Sequence, residues 1–293
     1  MKVLLLGKTG QLGWELHRTL QPLGDIVALA YPEIDMSNAE SIRNAVRFHA
    51  PNVIVNATAY TAVDKAESES ALAYAVNAEG PRVLAEEARQ LNALLVHFST
   101  DYVFDGAKNA PYLETDTPNP LSVYGKSKLA GEQAVQSVGG IYLVLRTAWV
   151  YSKSKDSFAG KVLQWARQNE TLKVVSDQVS NPTWARMLAE ITAQVLAKGG
   201  NRPVSWLAER RGLYHLAGSG RASRLEWAQA ILSLDPRKEE QVAREILPAL
   251  TADFPSPAQR PLYSALNCDK FTDTFGLRLP DWQDALRLLM EAG

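Results

Sequence analysis

The stretch that decides the fold is VLLLGKTGQLGWEL, residues 3–16. Its first four residues, Val3–Leu6, form an apolar run typical of a buried strand, and the amphipathic pattern that follows predicts a helix over Gln11–Leu20. Between them stand three glycines in the spacing Gly-x-x-Gly-x-x-Gly: Gly7, Gly10 and Gly13. Glycines placed there allow a tight turn, a close approach of the backbone to a pyrophosphate and close helix–sheet packing. The stretch therefore predicts a dinucleotide-binding loop, with an ordinary turn as the alternative that three glycines alone leave open.

The same alternation continues through the first half of the chain. Apolar runs typical of buried strands recur at Val3–Leu6, Ile26–Leu29, Val53–Asn56, Leu94–Ser99 and Tyr142–Arg146. Helical patterns lie between them at Gln11–Leu20, Ala39–His49, Pro81–Leu91 and Val123–Gln136. Strand, helix and strand in repetition specify right-handed crossovers and a parallel sheet covered on both faces. The sequence therefore predicts an α/β fold with a Rossmann-type, doubly wound parallel sheet.

The second half of the chain has a different sequence pattern. After about Thr147, proline and glycine become denser and helical patterns dominate, ending in a predicted helix over Asp281–Ala292. We expect residues 1–170 to form an NAD(P)-binding Rossmann domain. We expect residues 171–293 to form mainly a smaller, mostly helical substrate-binding lobe, with segments that return to the first domain.

Composition excludes several classes of partner. Lysine plus arginine number 31 and aspartate plus glutamate number 32, so no global positive field attracts nucleic acid or an anionic membrane. The apolar run near Met1 is only Val3–Leu6, too short for a signal peptide, and no stretch approaches the ~20 apolar residues of a membrane span. A single cysteine, Cys268, fits a reducing compartment. We expect a cytoplasmic protein that binds neither nucleic acid nor membrane.

The choice of nicotinamide cofactor depends on the end of the second strand. Rossmann folds that prefer NAD carry an acid there, about 20 residues after the loop, which binds the ribose 2′-hydroxyl. That place falls at Ala30 or Tyr31, and the nearest acids, Glu33 and Asp35, come later. A 2′-phosphate then meets no repulsion, so we expect use of NADPH or NADH. Two cations are candidates to contact that phosphate, with a solvated side chain as the alternative for each: Lys8 and Arg18.

Two motifs predict hydride transfer to a carbonyl. Tyr124 and Lys128 form Tyr-x-x-x-Lys at the start of a helix, which places both side chains on one face. We expect the ammonium to lower the pKa of the tyrosine from about 10, so that it serves as the proton donor. Thr100 follows the fourth strand, where its hydroxyl can stabilise charge on a substrate oxygen. A solvated helix face and a simple turn are the alternatives for the two motifs taken singly.

Together these motifs resemble the extended short-chain dehydrogenase/reductase family, and within it the reductases of dTDP-4-keto sugars. The similarity runs through nearly the whole chain, over Gly7–Trp14, Val55–Glu67, His97–Phe104, Tyr124–Glu132, Arg146–Tyr151, Asp177–Gln178 with Pro182–Thr183, and Pro257–Pro261. The resemblance implies NAD(P)H-dependent reduction of the 4-keto group of dTDP-4-dehydro-β-L-rhamnose to dTDP-L-rhamnose, which serves polysaccharide synthesis.

The resemblance also implies roles for individual residues. Tyr124 is the expected catalytic acid, and Lys128 assists it and holds the nicotinamide ribose. Thr100 and Asp101 are expected to contact the substrate, and Trp149 to lie against its sugar. The cofactor contacts expected from the loop and the resemblance are Gly7, Gly10, Gln11, Leu12, Gly13, Asp35, Met36, Ala59, Tyr60, Thr61 and Phe98, together with Tyr124 and Lys128.

One further residue has a candidate role from its chemistry. Arg260 stands between Gln259 and Pro261, and a guanidinium fits phosphate oxygens bidentately. It is therefore a candidate to bind the diphosphate of the substrate, with a structural ion pair as the alternative.

Two other functions remain open at this point. A sugar-nucleotide epimerase or dehydratase has the same fold. Dehydratases of this kind carry a motif similar to Thr-Asp-Glu after the fourth strand, where this chain has Thr100-Asp101-Tyr102. A non-catalytic regulatory subunit, resembling that of methionine adenosyltransferase, is the second alternative. The complete set of Thr100, Tyr124 and Lys128 favours the enzyme.

The expected oligomeric state follows from one departure from the family. Some members dimerise around a magnesium ion held by glutamates. Glu15 is present here, but Arg186 stands where we expect a second glutamate, and an arginine there would repel the cation. We therefore expect no bound metal, and a monomer or weak homodimer.

Overall fold

The computed structural model describes residues 1–153, 157–200 and 202–291. In chain order the strands are β1 Lys2–Leu6, β2 Asp25–Leu29, β3 Val53–Asn56, β4 Leu94–Thr100, β5 Ile141–Thr147, β6 Val150–Tyr151, β7 Thr171–Val175, β8 Val179–Ser180, β9 Thr183–Trp184, β10 Gly212–His215, β11 Ala222–Ser223 and β12 Glu245–Ala249. The α-helices are α1 Gln11–Thr19, α2 Ala39–His49, α3 Val63–Ala66, α4 Ser70–Tyr74, α5 Gly80–Gln90, α6 Val123–Val138, α7 Phe158–Gln168, α8 Ala185–Lys198, α9 Pro203–Ala208, α10 Arg224–Ser233, α11 Asp269–Phe275 and α12 Trp282–Glu291. Within the described ranges, no helix is both long and apolar enough to cross a membrane.

The central sheet has the strand order β10-β5-β4-β3-β1-β2, and every pairing in it is parallel. The chain leaves β1 for β2 on one side and then crosses to β3 on the other side. The strand order therefore reverses beside β1, and open α/β sheets bind ligands at the carboxyl ends of the strands at such a point. The prediction of a parallel α/β sheet is confirmed.

Strand β10 was not predicted from the sequence. It comes from the second half of the chain and extends the sheet beyond β5, with Gly212 opposite Leu143 and His215 opposite Arg146. Its four residues, GLYH, lack the continuous apolar character of the inner strands, because an edge strand is covered less completely. The five predicted strands are present within one or two residues of their expected ends.

Both faces of the sheet are buried under helices. Along β1, alternate side chains point to opposite faces, so Leu5 joins a cluster with α1 and α8 while Leu4 joins one with α2, α5 and α6. Helix α8 comes from the second half of the chain and packs directly on α1 through residues such as Leu188. The two layers fix the carboxyl ends of the strands, where the phosphate loop begins.

A third apolar cluster lies among the later elements. Trp227 of α10 and Leu286 of α12 are fully buried in it beside Tyr151, over the pair of strands β7 and β12. The division at residue 170 stays a prediction, because α8 and β10 lie beyond it and still pack on the central sheet. The closing helix is observed over Trp282–Glu291, and Ala292 lies outside the described residues.

Candidate active site

The phosphate loop is fastened between β1 and α1. Gly7 has a φ of +91° and donates its N–H to the carbonyl of Leu29 at 2.8 Å. Gly13 lies so close to the loop that a Cβ there would stand 1.9 Å from the Gly7 oxygen. Gly10 caps α1 without any side-chain hydrogen bond, so the first N–H groups of the helix remain available to an anionic ligand. The loop has the form that a pyrophosphate requires.

A cavity of about 700 Å³ opens beside this loop, at the carboxyl ends of β3, β4 and β5. The predicted site residues that line it are Gly10, Gln11, Leu12, Ala59, Thr61, Phe98, Thr100, Asp101, Tyr124, Lys128 and Trp149. Within the described part of the chain, the predicted residues that lie outside this lining are Gly7, Gly13, Asp35, Met36, Tyr60 and Arg260. The structure therefore brings both predicted motifs and most of the expected cofactor contacts to one cavity.

Two polar atoms on the cavity wall are buried without a partner. The side-chain oxygen of Gln11 and the hydroxyl of Thr147 have no hydrogen bond in the structure. Buried polar groups in native proteins are paired, so each of these atoms fits a polar group of a bound molecule. Since the uncapped start of α1 lies beside Gln11, the residues present fit a dinucleotide cofactor.

Tyr124 and Thr100 converge at the centre of the cavity. Tyr124 is the second residue of α6, whose start is fixed by the Ser122 hydroxyl, which accepts a hydrogen bond from the Gly125 N–H. The Thr100 hydroxyl lies within hydrogen-bonding reach of the phenol. Burial raises the pKa of Tyr124 well above its usual value, and the hydrogen bond with Thr100 lowers it only in part. The expectation that Lys128 brings this pKa below its usual value is wrong, because burial outweighs the hydrogen bond with Thr100, and Lys128 is not among the groups that shift it.

Lys128 is held by the backbone of β4. Its side chain is buried, and the ammonium donates to the carbonyl oxygen of Phe98 at 2.7 Å. Burial lowers its pKa to about 8, while the Glu132 carboxylate, one turn later on α6, raises it. An ammonium has three donors, so two remain for a ligand after the Phe98 bond.

Under the cavity lies a buried ion pair. Arg146 of β5 contacts both carboxylate oxygens of Glu132, at 2.9 and 2.7 Å, and Ser99 donates to the same carboxylate. On its other side the guanidinium approaches His215 Nε2 at 3.4 Å, and burial lowers the pKa of His215 to about 3. A neutral histidine adds no second positive charge to Arg146, so the pair stays compensated. It fixes α6 against β4 and β5.

Asn77 connects the cofactor side of the cavity to α6. It lies in a π-helical turn, Ala75–Glu79, and its side-chain amide accepts from the Tyr60 N–H at 2.8 Å and donates to the Tyr60 carbonyl at 3.1 Å. Its amide also donates to Ser127 at 3.0 Å. The loop of Ala59 to Thr61 is therefore tied to the helix that carries Tyr124. Asn77 was not expected from the sequence, because a π-helical turn leaves no clear sequence signal.

Asp101 links β4 to the second half of the chain. Its carboxylate is buried and accepts hydrogen bonds from the hydroxyls of Ser180, at 2.9 Å, Ser264 and Thr100. Burial raises its pKa, and these hydroxyls lower it. Although Asp101 lines the cavity, its oxygens are already used in holding the two parts of the protein together.

The end of β2 differs from the sequence expectation. The Glu33 carboxylate folds back to accept the Ala30 N–H at 3.0 Å and pairs with Lys8 at 2.6 Å. An acid therefore does stand at this place, contrary to the expectation that none would. The hydrogen bond from Lys8 holds the pKa of Glu33 below its usual value. The other candidate cation, Arg18, stacks on Trp14 instead.

A second cavity of about 380 Å³ adjoins the first through Arg224, which lines both. Arg224 is the first residue of α10, and its guanidinium lies 3.7 Å from the ring centre of Trp149. Trp149 has a φ of +40°, a strained conformation for a large side chain, and it stacks on Trp227. Arg224 was not expected from the sequence, although the Ser223 and Glu226 capping box marks this helix start.

Arg260 lines this second cavity and also forms an ion pair. Its guanidinium contacts the Asp64 carboxylate at 2.7 Å and the Ser256 hydroxyl at 2.7 Å. The alternative of a structural ion pair is therefore present, while the side chain still faces the cavity. Its predicted contact with a diphosphate stays a prediction.

Glu15 and Arg186, at the place where a shared metal would bind, form an ion pair. Arg186 contacts the Glu15 carboxylate at 3.4 Å. Across the residues that the structure describes, no group of three or more histidine, cysteine or acidic side chains is arranged to hold a metal ion.

The whole chain, residues 1–293, matches the family described as the RmlD substrate binding domain. The dTDP-4-dehydrorhamnose reductase of Burkholderia thailandensis is 42% identical over 291 residues, which cover 98% of this chain and 97% of the relative. A solved dTDP-4-dehydrorhamnose reductase from Clostridium acetobutylicum has a TM-score of 0.91 at 33% identity, over 100% of this chain and 99% of that one. Another, from Bacillus anthracis in complex with NADP, has a TM-score of 0.89 at 32% identity, over 100% and 99%. The chain therefore belongs to the RmlD family, the dTDP-4-dehydrorhamnose reductases.

Proposed function

We propose that this protein reduces the 4-keto group of dTDP-4-dehydro-β-L-rhamnose to the alcohol of dTDP-L-rhamnose, with NADPH or NADH as the reductant. The observation that carries the proposal is the convergence of the Tyr124 phenol and the Thr100 hydroxyl in a cavity that begins at the phosphate loop. Membership of the RmlD family supports the same activity, as does the NADP complex of the Bacillus anthracis reductase.

Tyr124 is the proposed proton donor. Because burial raises its pKa, the phenol keeps its proton at neutral pH, which is the form that reduction of a ketone needs. As negative charge develops on the substrate oxygen, Tyr124 transfers its proton, and the Thr100 hydroxyl turns from Asp101 to donate a second hydrogen bond to that oxygen. The reduced nicotinamide supplies the hydride when it is bound.

Lys128 is the proposed charged neighbour of the reaction. Its ammonium is fixed by the Phe98 carbonyl and keeps two donors for a ribose hydroxyl and for the oxygen of Tyr124. A positive charge there stabilises the phenolate that remains after proton transfer. The cofactor would be held by the loop from Gly10 to Leu12, where the unpaired N–H groups at the start of α1 would donate to its phosphates.

The lining of the second cavity supports binding of the nucleotide part of the substrate there. That cavity combines the cations of Arg224 and Arg260 with the aromatic rings of Phe158 and Phe254. Guanidinium groups bind phosphate oxygens, and aromatic rings stack on a base. We propose that the sugar lies beside Trp149 in the first cavity, while the diphosphate and thymidine extend past Arg224 into the second.

Net consumption of the reduced cofactor tests this function. We expect one NADPH or NADH to be oxidised for each ketone supplied, with the alcohol as the product identified by mass spectrometry. An epimerase would return the cofactor to its starting state, and a dehydratase would lose water from the sugar. A product with unchanged mass and no loss of absorbance would contradict the proposal, and so would an inert protein.

Two features of the cellular setting are also proposals. The single cysteine and balanced charge support action in the cytoplasm on a small nucleotide-sugar, without nucleic acid or membrane. The ion pair of Arg186 with Glu15 supports a monomer or weak homodimer that forms without a metal ion. Size-exclusion chromatography with and without magnesium tests this, and a magnesium-dependent dimer would contradict it.

A further inference from the structure

The junction of the phosphate loop with β2 carries one positive and one negative side chain. The N–H groups of Gly7 and Lys8 both donate to the carbonyl of Leu29, at 2.8 and 3.4 Å, so the loop is attached to the end of β2. The next residue after Lys8 is Thr9, which lines the first cavity. A ligand that follows the loop out of the cavity therefore reaches this junction.

The two charges are held in contact with each other. The Lys8 ammonium lies 2.9 Å from Glu33 Oε1 and 2.6 Å from Oε2, and Oε2 also accepts the Ala30 N–H at 3.0 Å. The Lys8 side chain is 30% exposed and that of Glu33 is 48% exposed, so both are accessible to a ligand. Glu33 is also held by the Ala30 N–H, whereas the lysine side chain is flexible and can reorient.

This is the place where Rossmann folds distinguish the two nicotinamide cofactors. An acid there accepts the 2′-hydroxyl of the adenosine ribose, whereas a cation there accommodates a 2′-phosphate. The chain presents both groups, already neutralising each other. A ribose hydroxyl can donate to Glu33 without separating the pair, while a 2′-phosphate attracts Lys8 and is repelled by Glu33.

We propose that Lys8 and Glu33 form a cofactor-selecting pair: Glu33 binds the ribose 2′-hydroxyl of NADH, and Lys8 moves from Glu33 to the 2′-phosphate of NADPH. This inference rests on the proposed function, since it assigns residues to the cofactor of that reaction. It gives the protein access to both cofactors, with the balance set by one exposed ion pair.

Two substitutions should shift the balance in opposite directions. In Lys8→Gln, the phosphate loses its cation and faces an unpaired Glu33, so the affinity for NADP⁺ should fall by about tenfold or more while that for NAD⁺ changes by less than about threefold. In Glu33→Gln, the repulsion is gone and Lys8 is released, so the ratio of NADP⁺ to NAD⁺ affinity should rise by about tenfold. Both side chains are at the surface, so both variants should fold.

The experiment is isothermal titration calorimetry of the unchanged protein and the variants with NADP⁺, NAD⁺, 2′,5′-ADP and 5′-AMP. The last two lack nicotinamide, so they report binding at this junction without catalysis. The ratio of 2′,5′-ADP to 5′-AMP affinity should therefore shift in the same opposite directions in the two variants. Arg18→Gln is the matched control, because that guanidinium stacks on Trp14 and should leave the ratio unchanged.

The outcomes separate the pair from the proposed function. A ratio that stays within about twofold in both variants, or shifts only in Arg18→Gln, would overturn the pair while cofactor binding itself stands. If the unchanged protein binds none of the four nucleotides, the proposed function fails together with the pair.

Discussion

The ammonium of Lys128 donates to the carbonyl oxygen of Phe98, with 2.7 Å between the two atoms. Phe98 lies in β4, two residues before Thr100, so the strand that supplies the hydroxyl of the site also fixes the lysine. Lys128 is buried, and burial lowers its pKa to about 8. The charge of the site therefore depends on pH in an accessible range.

That pKa predicts a loss of activity in alkaline solution. For a base whose pKa is lowered to about 8, the charged form is present below that value and is lost as the pH rises through it. If the ammonium is needed, kcat/KM should fall by about tenfold per unit above about pH 8. Tyr124 adds no competing loss there, because its pKa is raised.

Steady-state measurement of kcat/KM between about pH 6 and about pH 9.5 tests this prediction. The control is Lys126→Met, which removes an exposed ammonium from the same helix and should leave the alkaline limb in place. A profile that stays flat to the upper limit would show that the charge of Lys128 is not required.

The packing of the phosphate loop predicts the outcome of a pair of alanine substitutions. In Gly13→Ala the new Cβ would stand 1.9 Å from the backbone oxygen of Gly7, so the loop and α1 must separate. The cost should be about 1–3 kcal/mol or more in the free energy of unfolding. In Gly10→Ala the Cβ would lie 3.5 Å from the same oxygen, an ordinary contact.

Urea unfolding of both variants, followed by circular dichroism, is the measurement. Gly10→Ala should stay within about 1 kcal/mol of the unchanged protein, because its φ of −76° suits any residue. Equal stability of the two variants would contradict the close packing of Gly13 on Gly7.

The sequence predicted those features that depend on local pattern. The inner strands were found because each is a continuous apolar run, and Thr100, Tyr124 and Lys128 converge because strand ends and helix spacing fix their places. Strand β10 was missed because its residues, Gly212–His215, gain a partner only after the chain returns to β5. Such long-range pairing leaves little trace in a four-residue run.

Two site residues were missed for a different reason. Glu33 was judged too late in the chain, yet its side chain folds back to the Ala30 N–H, so counting along the backbone misplaced the carboxylate. Arg224 comes from α10, far along the chain from every motif, and at the cavity its guanidinium stacks on the ring of Trp149. The spacing of residues along the sequence does not show how far a side chain extends or which distant ring it stacks on.

Arg224 should contribute to binding of the nucleotide-sugar and not of the cofactor. Because its guanidinium stands between the two cavities, Arg224→Gln should raise the KM for the substrate by about tenfold or more, with a smaller change in kcat. The affinity for NADP⁺ should stay within about twofold.

Initial rates at varied substrate concentration, together with NADP⁺ titration, measure both quantities. Arg237→Gln is the control, since that exposed arginine pairs with Glu240 at the surface. A loss of cofactor affinity without a change in the KM for the substrate would show that Arg224 contributes to cofactor binding and contradict its proposed role in substrate binding.

Substitution of Tyr124 by phenylalanine tests the central claim most directly. The change removes one oxygen and keeps the ring, so the cavity and the loop should be unaffected. The measurement is the rate of NADPH oxidation with dTDP-4-dehydro-β-L-rhamnose, alongside the affinity for NADP⁺. The account predicts that kcat falls by about 10²–10⁴-fold while NADP⁺ binding is unchanged. A Tyr124→Phe protein that retains kcat within about threefold would contradict proton donation by Tyr124 and the mechanism built on it.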